Sequence, residues 1–176
     1  MIVTLSRRDM HASLMMGNDT VAICRALGFT PREEVMGGLT REEQNVIGFK
    51  TEFAVARAFG LHTPVMSIIS DYGVDLWWND ISVDVKSTTT GYLIFDIPEQ
   101  FRADVAILTS LVENDRVEIV GWISRDQFLA EHEIKDFKYG PRCVMHKDKL
   151  QPISDIKAQL GFPKSAIELN QSIRTA

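Results

Sequence analysis

Cysteine is nearly absent from this chain. Cys24 and Cys143 are the only two in 176 residues, too few for a disulfide framework. Neither has a Cys-x-x-Cys partner or a histidine at zinc-ligand spacing, so both read as small buried apolar residues. Long apolar runs are missing as well. Stretches such as Val21-Ala22-Ile23-Cys24 fall far short of the roughly 20 residues that a membrane-spanning helix needs. Arg7 and Arg8 are followed by no apolar segment or small-residue cleavage site, so the expectation is a cytoplasmic chain with no membrane partner. No Gly-x-x-x-x-Gly-Lys loop and no Gly-x-Gly-x-x-Gly occurs, which argues against nucleotide-driven activity, and there is no Gly-x-Ser-x-Gly elbow. His11, His62, His132 and His146 are scattered and read as surface or packing residues.

Positive charge is also in deficit, with 19 Lys+Arg against 24 Asp+Glu and a net charge of −5. The deficit is uneven. Residues 1–134 hold 11 basic and 20 acidic side chains, whereas residues 135–176 hold 8 and 4. Such asymmetry can mark a surface that faces a polyanion, and equally a solvated basic tail. With 45% apolar and 24% charged residues, the composition is that of an ordinary globular protein with one well-buried core.

The helix signals are local and clear. Ser6-Arg7-Arg8-Asp9 has capping-box spacing and precedes an apolar set at helical period, Met10, Leu14 and Met15 or Met16. A second helix is expected from Asn18 or Asp19 to Ala26, and Thr30-Pro31 reads as a third helix start before Gly37-Gly38. Residues 1–38 are therefore expected to form a helical N-terminal extension. Thr40-Arg41-Glu42-Glu43 is another capping box, with a long helix expected from Arg41 to about Phe59 and Gly60 closing it.

Strands are expected at Gly73–Trp78, Ile81–Thr88 and Tyr92–Ile97, the first two joined by an Asn79-Asp80 turn. A short helical turn at Pro98–Ala103 leads to strands at Asp104–Thr109 and Val117–Ile123, a helix capped by Ser124 that reaches about His132, and a short strand at 142–146. The class is mixed α/β rather than a regular βαβ repeat.

The segment Ile81-Ser82-Val83-Asp84-Val85-Lys86 is the informative one. Strand alternation puts Ile81, Val83 and Val85 on a core face and Ser82, Asp84, Lys86 and Thr88 on the other. Asp84 and Lys86 are then neighbours about 7 Å apart along the strand. An acid and a base in that relation can hold a metal and address a water beside it. Asp-x-Lys alone is more often a simple ion pair. Asp75, with eight residues and a turn between it and Asp84, adds a second carboxylate on the paired strand. Two adjacent carboxylates repel unless a cation lies between them, and Mg2+ suits one or two carboxylates plus water and phosphate. Asp71 and Asp80 lie at turns, where aspartate has backbone reasons to be. Glu52 is the third feature. Its helical neighbours are Phe49, Val55, Ala56 and Phe59, and a carboxylate on an apolar stripe needs a partner such as Lys86 or a metal unless it turns out to solvent. Gly48, one turn earlier, would let that helix face approach the sheet closely.

Glu52, Gly73-Val74-Asp75 and Asp84-Val85-Lys86-Ser87-Thr88, in that order, resemble the PD-(D/E)XK nuclease superfamily over residues 45–123. Val74 stands where the proline of the family's name would be. The resemblance implies a restriction-endonuclease-like α/β fold, a mixed central sheet flanked by helices. It would make residues 39–150 the nuclease-like core and 151–176 a partly helical tail. It also implies Mg2+-dependent cleavage of DNA, with Mn2+ able to substitute. Asp75, Asp84 and the Val85 carbonyl would bind the metal, Glu52 would support it, and Lys86 would orient or activate the water. Many members act as dimers, so a homodimer is allowed. The run containing Lys135, Lys138, Arg142, Lys147 and Lys149, interleaved with Phe137, Tyr139 and His146, could track a phosphate backbone. Two other classes stay open: a non-cutting nucleic-acid-binding or assembly module of the same fold, and a metal-dependent hydrolase of RNA or small phosphate esters.

Overall fold

The computed structural model describes residues 1–28, 38–66, 73–137 and 140–160. The Thr30-Pro31 helix start, Gly37, Asp71, Lys138, Tyr139 and the last part of the expected tail lie outside these residues.

Capping chemistry starts both long helices where the local pattern says it should. Helix α1 runs Arg7–Ala26, with Ser6 and Asp9 exchanging side-chain and backbone hydrogen bonds at its start. Helix α2 runs Arg41–Phe59, opened by the reciprocal Thr40–Glu43 pair and closed by Gly60 at φ 67°. The two helices expected before residue 27 are one, because Asn18 and Asp19 offer a cap that the continuous packing of α1 on α2 overrides. That packing is close at Gly17, where a Cβ would fall 2.5 Å from Val46 Cγ2 and 2.7 Å from the Val46 nitrogen. Gly48, by contrast, gives α2 no close approach to the sheet: only Glu52 Oε1, at 3.9 Å, would meet a Cβ there.

The first residues are strand, not helix. β1 (Ile2–Thr4) pairs antiparallel with β6 (Arg116–Ser124), more than a hundred residues away. With β2 (Leu76–Trp78), β3 (Ile81–Ser87) and β5 (Val105–Glu113) they form a five-stranded mixed sheet in the order β1-β6-β5-β3-β2. β3 and β5 are parallel, and the other neighbours are antiparallel. The β2–β3 hairpin turns at Asn79 and Asp80, with Asn79 in the left-handed region at φ 49°.

A second, three-stranded antiparallel sheet in the order β4-β8-β7 consists of β4 (Tyr92–Phe95), β7 (Glu133–Phe137) and β8 (Gly140–His146). Helix α3 (Arg125–Glu131) follows Ser124, which caps it, and α4 (Ile153–Leu160) comes after β8. Strand β7 was not legible in the charged run that contains it. Its residues are mostly exposed, and its backbone pairs antiparallel with β8.

The large sheet thus has two cores, one per face. Phe53, Val55 and Phe59 of α2 pack with Val83, Val85, Ile107, Ile119 and Ile156 of α4. On the other face, Ala106, Leu108 and Ile123 meet Leu93 and Phe95 of β4, Phe101, Phe128 of α3 and Met145 of β8. Phe95 and Phe101 stack at 4.8 Å, and each meets Phe128 edge-on. Cys143 is buried in this second core and Cys24 is half-buried, both as free thiols. Lys50 ties α2 to the β5–β6 turn through the Asn114 carbonyl at 2.9 Å and Asn114 Oδ1 at 2.6 Å. Among the described residues no helix is long and apolar enough to cross a membrane.

Candidate active site

Strand β3 alternates as expected, with Val83 and Val85 in the helix-side core and Asp84 on the opposite face. The second sheet covers that opposite face, so Asp84 is fully buried and Ser82 and Thr88 nearly so. A carboxylate there demands compensation. Lys86 provides it, its Nζ donating to Asp84 Oδ1 at 2.5 Å. The same ammonium lies 5.4 Å from the Phe95 ring centroid, so β4 helps hold it while the side chain stays 36% exposed. The contribution of Phe95 was hidden in the sequence because it depends on sheet-to-sheet packing. The base of the strand is fastened separately: Asp104 Oδ2 accepts from both the Ser82 nitrogen and hydroxyl, at 2.8 and 2.6 Å.

Asp75 reaches this place by a local irregularity. Leu76 is the register partner of Val83, yet the Asp75 N–H also donates to the Val83 carbonyl, at 2.9 Å. Two residues of one strand then face one of the other, the arrangement of a β-bulge, which re-aims side chains and ends pairing. This is why β2 begins at Leu76, not Gly73. The Asp75 carboxylate takes the place of the next rung, with Oδ2 accepting from the Val85 N–H at 2.6 Å. In a strand the N–H and C=O of one residue point to the same side, so the Val85 carbonyl also faces this edge.

Glu52 approaches from α2, half-buried beside Phe53, Val55 and Ala56. The electrostatics link all four side chains. Burial, then the Asp84 charge, then the Glu52 charge hold the Asp75 carboxyl well above the usual carboxylate range; Lys86 and the Val85 N–H pull it back in part. Asp84 and Lys86 thus pair on β3, Asp75 is bonded beside them to the Val85 N–H, and Glu52 of α2 acts on Asp75 through its charge. Asp80 sits exposed in the hairpin turn, away from this cluster.

The basic residues go elsewhere. Lys135 donates to the Tyr92 hydroxyl at 3.1 Å and lies over its ring, Arg142 pairs with Asp96, and Lys149 pairs with Glu133. Lys147 is exposed beside Gly91. Of the five basic residues singled out from the run, Lys135, Arg142 and Lys149 thus have partners within the protein, Lys147 is open to solvent, and Lys138 lies outside the described residues. Among the described residues, no three His, Cys, Asp or Glu side chains form a group able to hold a metal ion as they stand. Comparisons of this chain with protein-family models, curated proteins and solved structures found no match.

Proposed function

We propose that the chain is a Mg2+-dependent deoxyribonuclease with a restriction-endonuclease-like core, its site formed by Asp75, Asp84, Lys86 and Glu52. The observation that carries the reading is the Asp75 carboxylate bonded to the Val85 N–H at the bulged start of β2, directly beside the buried Asp84–Lys86 pair. A structural ion pair explains Asp84 and Lys86, but not a second carboxylate, Asp75, bonded to the backbone N–H of the residue between them. The order of these residues in the PD-(D/E)XK resemblance supports the same reading.

The donor set fits a small hard cation, which takes one or two carboxylates, a carbonyl and water. Asp75, Asp84 and the Val85 carbonyl would hold it, with Glu52 behind them. When bound, the ion would lower the pKa of a coordinated water and take up charge on the phosphate. Lys86, exposed enough to meet substrate, would orient and activate the attacking water through its Nζ–H donors and steady the charge on the scissile phosphate. Mn2+ would substitute, and a homodimer is compatible with the reading.

The test is cleavage of mixed DNA substrates with Mg2+ or Mn2+ by the wild type, Lys86→Ala and Asp84→Asn. Both variants should lose at least 100-fold in rate, on the order of general acid–base and charge-stabilising groups; unchanged activity in both refutes the assignment. A second reading, a non-cutting nucleic-acid-binding or assembly module, is favoured by the lack of a grouped three-residue ligand set among the described residues. It requires DNA binding that is indifferent to EDTA and to loss of Asp84.

A further inference from the structure

Trp77 is 56% exposed, while Trp122 is 1% exposed and Trp78 is half-buried. Tryptophan has the largest apolar surface of any side chain and is seldom left this open. Packing does not explain its position. Its cross-strand partner is Ser82, whose hydroxyl is committed to Asp104 at 2.6 Å. That pairing also fixes the direction of the ring. Residues directly opposite in an antiparallel pair share a face, so Trp77 projects from the face that carries Asp84 and Lys86. Asp84 is its diagonal neighbour, roughly 7–8 Å away.

An exposed indole thus stands beside the acid–lysine cluster, on the edge strand whose bulge delivers Asp75. The cluster itself offers a polyanion little attraction, since the Lys86 ammonium is already paired with Asp84. Lys135, Arg142 and Lys149 are engaged with Tyr92, Asp96 and Glu133 respectively. A substrate strand needs a handhold that does not depend on charge, and the face of a base on an aromatic ring is one. Bases inside a duplex are already stacked on one another and cannot use it.

Resting on the nuclease reading, we infer that Trp77 is a stacking platform for an unpaired base next to the scissile phosphate, so the preferred substrate is a strand with unpaired bases: a single strand, an overhang or a branch. Trp77 sets specificity and takes no part in proton transfer.

The experiment uses the full chain with Ca2+ in place of Mg2+ for binding and Mg2+ for cleavage. Tryptophan fluorescence is titrated with a single-stranded oligothymidine and with a blunt, fully paired duplex of equal length, for wild type, Trp77→Ala and Trp77→Phe. The single strand should quench wild-type emission and the blunt duplex should not. Trp77→Ala should weaken single-strand affinity by roughly 5- to 100-fold, the range for loss of one base–aromatic stack, and Trp77→Phe should retain most of it. In Mg2+, the preference for single-stranded over duplex cleavage should fall in Trp77→Ala. Equal preference in wild type and Trp77→Ala overturns the platform while the nuclease reading stands. Trp77-dependent oligonucleotide binding without any metal-dependent cleavage upholds the platform and removes the nuclease reading. A blue shift that grows with protein concentration in the absence of nucleic acid assigns the ring to a second copy of the chain, and overturns the platform too.

Discussion

Replacing Asp75 with asparagine should make the protein more stable at neutral pH while removing its metal response. Burial and the charges of Asp84 and Glu52 raise the Asp75 carboxyl well above its ordinary value. Below the unfolded-chain value of about 3.9, Asp75 is protonated in both states and contributes nothing to the pH dependence. As pH rises through that value, the unfolded chain releases the proton first, while the folded protein keeps it. Stability attributable to Asp75 therefore falls from about pH 4 until the folded carboxyl ionises, and is constant above that. Each unit of upward shift corresponds to about 1.4 kcal/mol. Asparagine removes the charge and keeps an oxygen that can accept from the Val85 N–H. A gain of about 1–2 kcal/mol is expected, typical of relieving a strained functional group. For a chain of this length each kcal/mol moves Tm by about 2–4 °C. Calorimetry from pH 4 to 8 should show the variant pulling ahead of the wild type as pH rises, and then a plateau. Mg2+ at about 100 times its Kd should add about 2.7 kcal/mol to the wild type and far less to the variant. A variant that is less stable at pH 7, or a gap that does not change with pH, refutes this account of the site.

Two further predictions concern the scaffold. Gly17→Ala should destabilise the protein by about 1–3 kcal/mol, as overpacking does, although alanine gains up to about 1 kcal/mol in helix propensity. The reason is that its Cβ meets the Val46 backbone, which cannot rotate away; urea unfolding with an unchanged or raised midpoint contradicts it. Asp9→Ala should cost about 2 kcal/mol through loss of the Ser6 capping box and of the Arg57 partner at 2.7 Å. Burial opposes the Asp9 charge, but the hydrogen bonds from Arg57 and Ser6 outweigh it and lower its pKa. The Asp9 contribution is present above the unfolded-chain value and lost as pH falls through the lowered one. The wild-type advantage in thermal unfolding should therefore shrink below about pH 4.

The sequence alone was enough for the helix starts, the hairpin turn and the strand alternation, which are held by neighbours along the chain. Ser6 with Asp9 and Thr40 with Glu43 mark helix starts because a cap is satisfied within four residues. Asn79-Asp80 marks the hairpin, and the alternation of β3 assigns Val83 and Val85 to one face and Asp84 and Lys86 to the other. Asp75, Asp84, Lys86 and Glu52 could be singled out as candidates for one site, three from paired strands and Glu52 from its place on an apolar helix stripe. Whether they met depended on contacts between distant segments. Asp75 is aimed by a bulge that exists only when β2 is zipped to β3. Asp84 is buried because a second sheet, built from residues 92–146, covers its face. β1 is a strand only because β6 offers it an edge. Lys135 and Arg142 of the basic run find partners in Tyr92 and Asp96, far away in sequence. Capping and alternation are local, so composition and spacing carry them; burial, register and pairing are properties of the assembled layers, and only the tertiary structure could decide them.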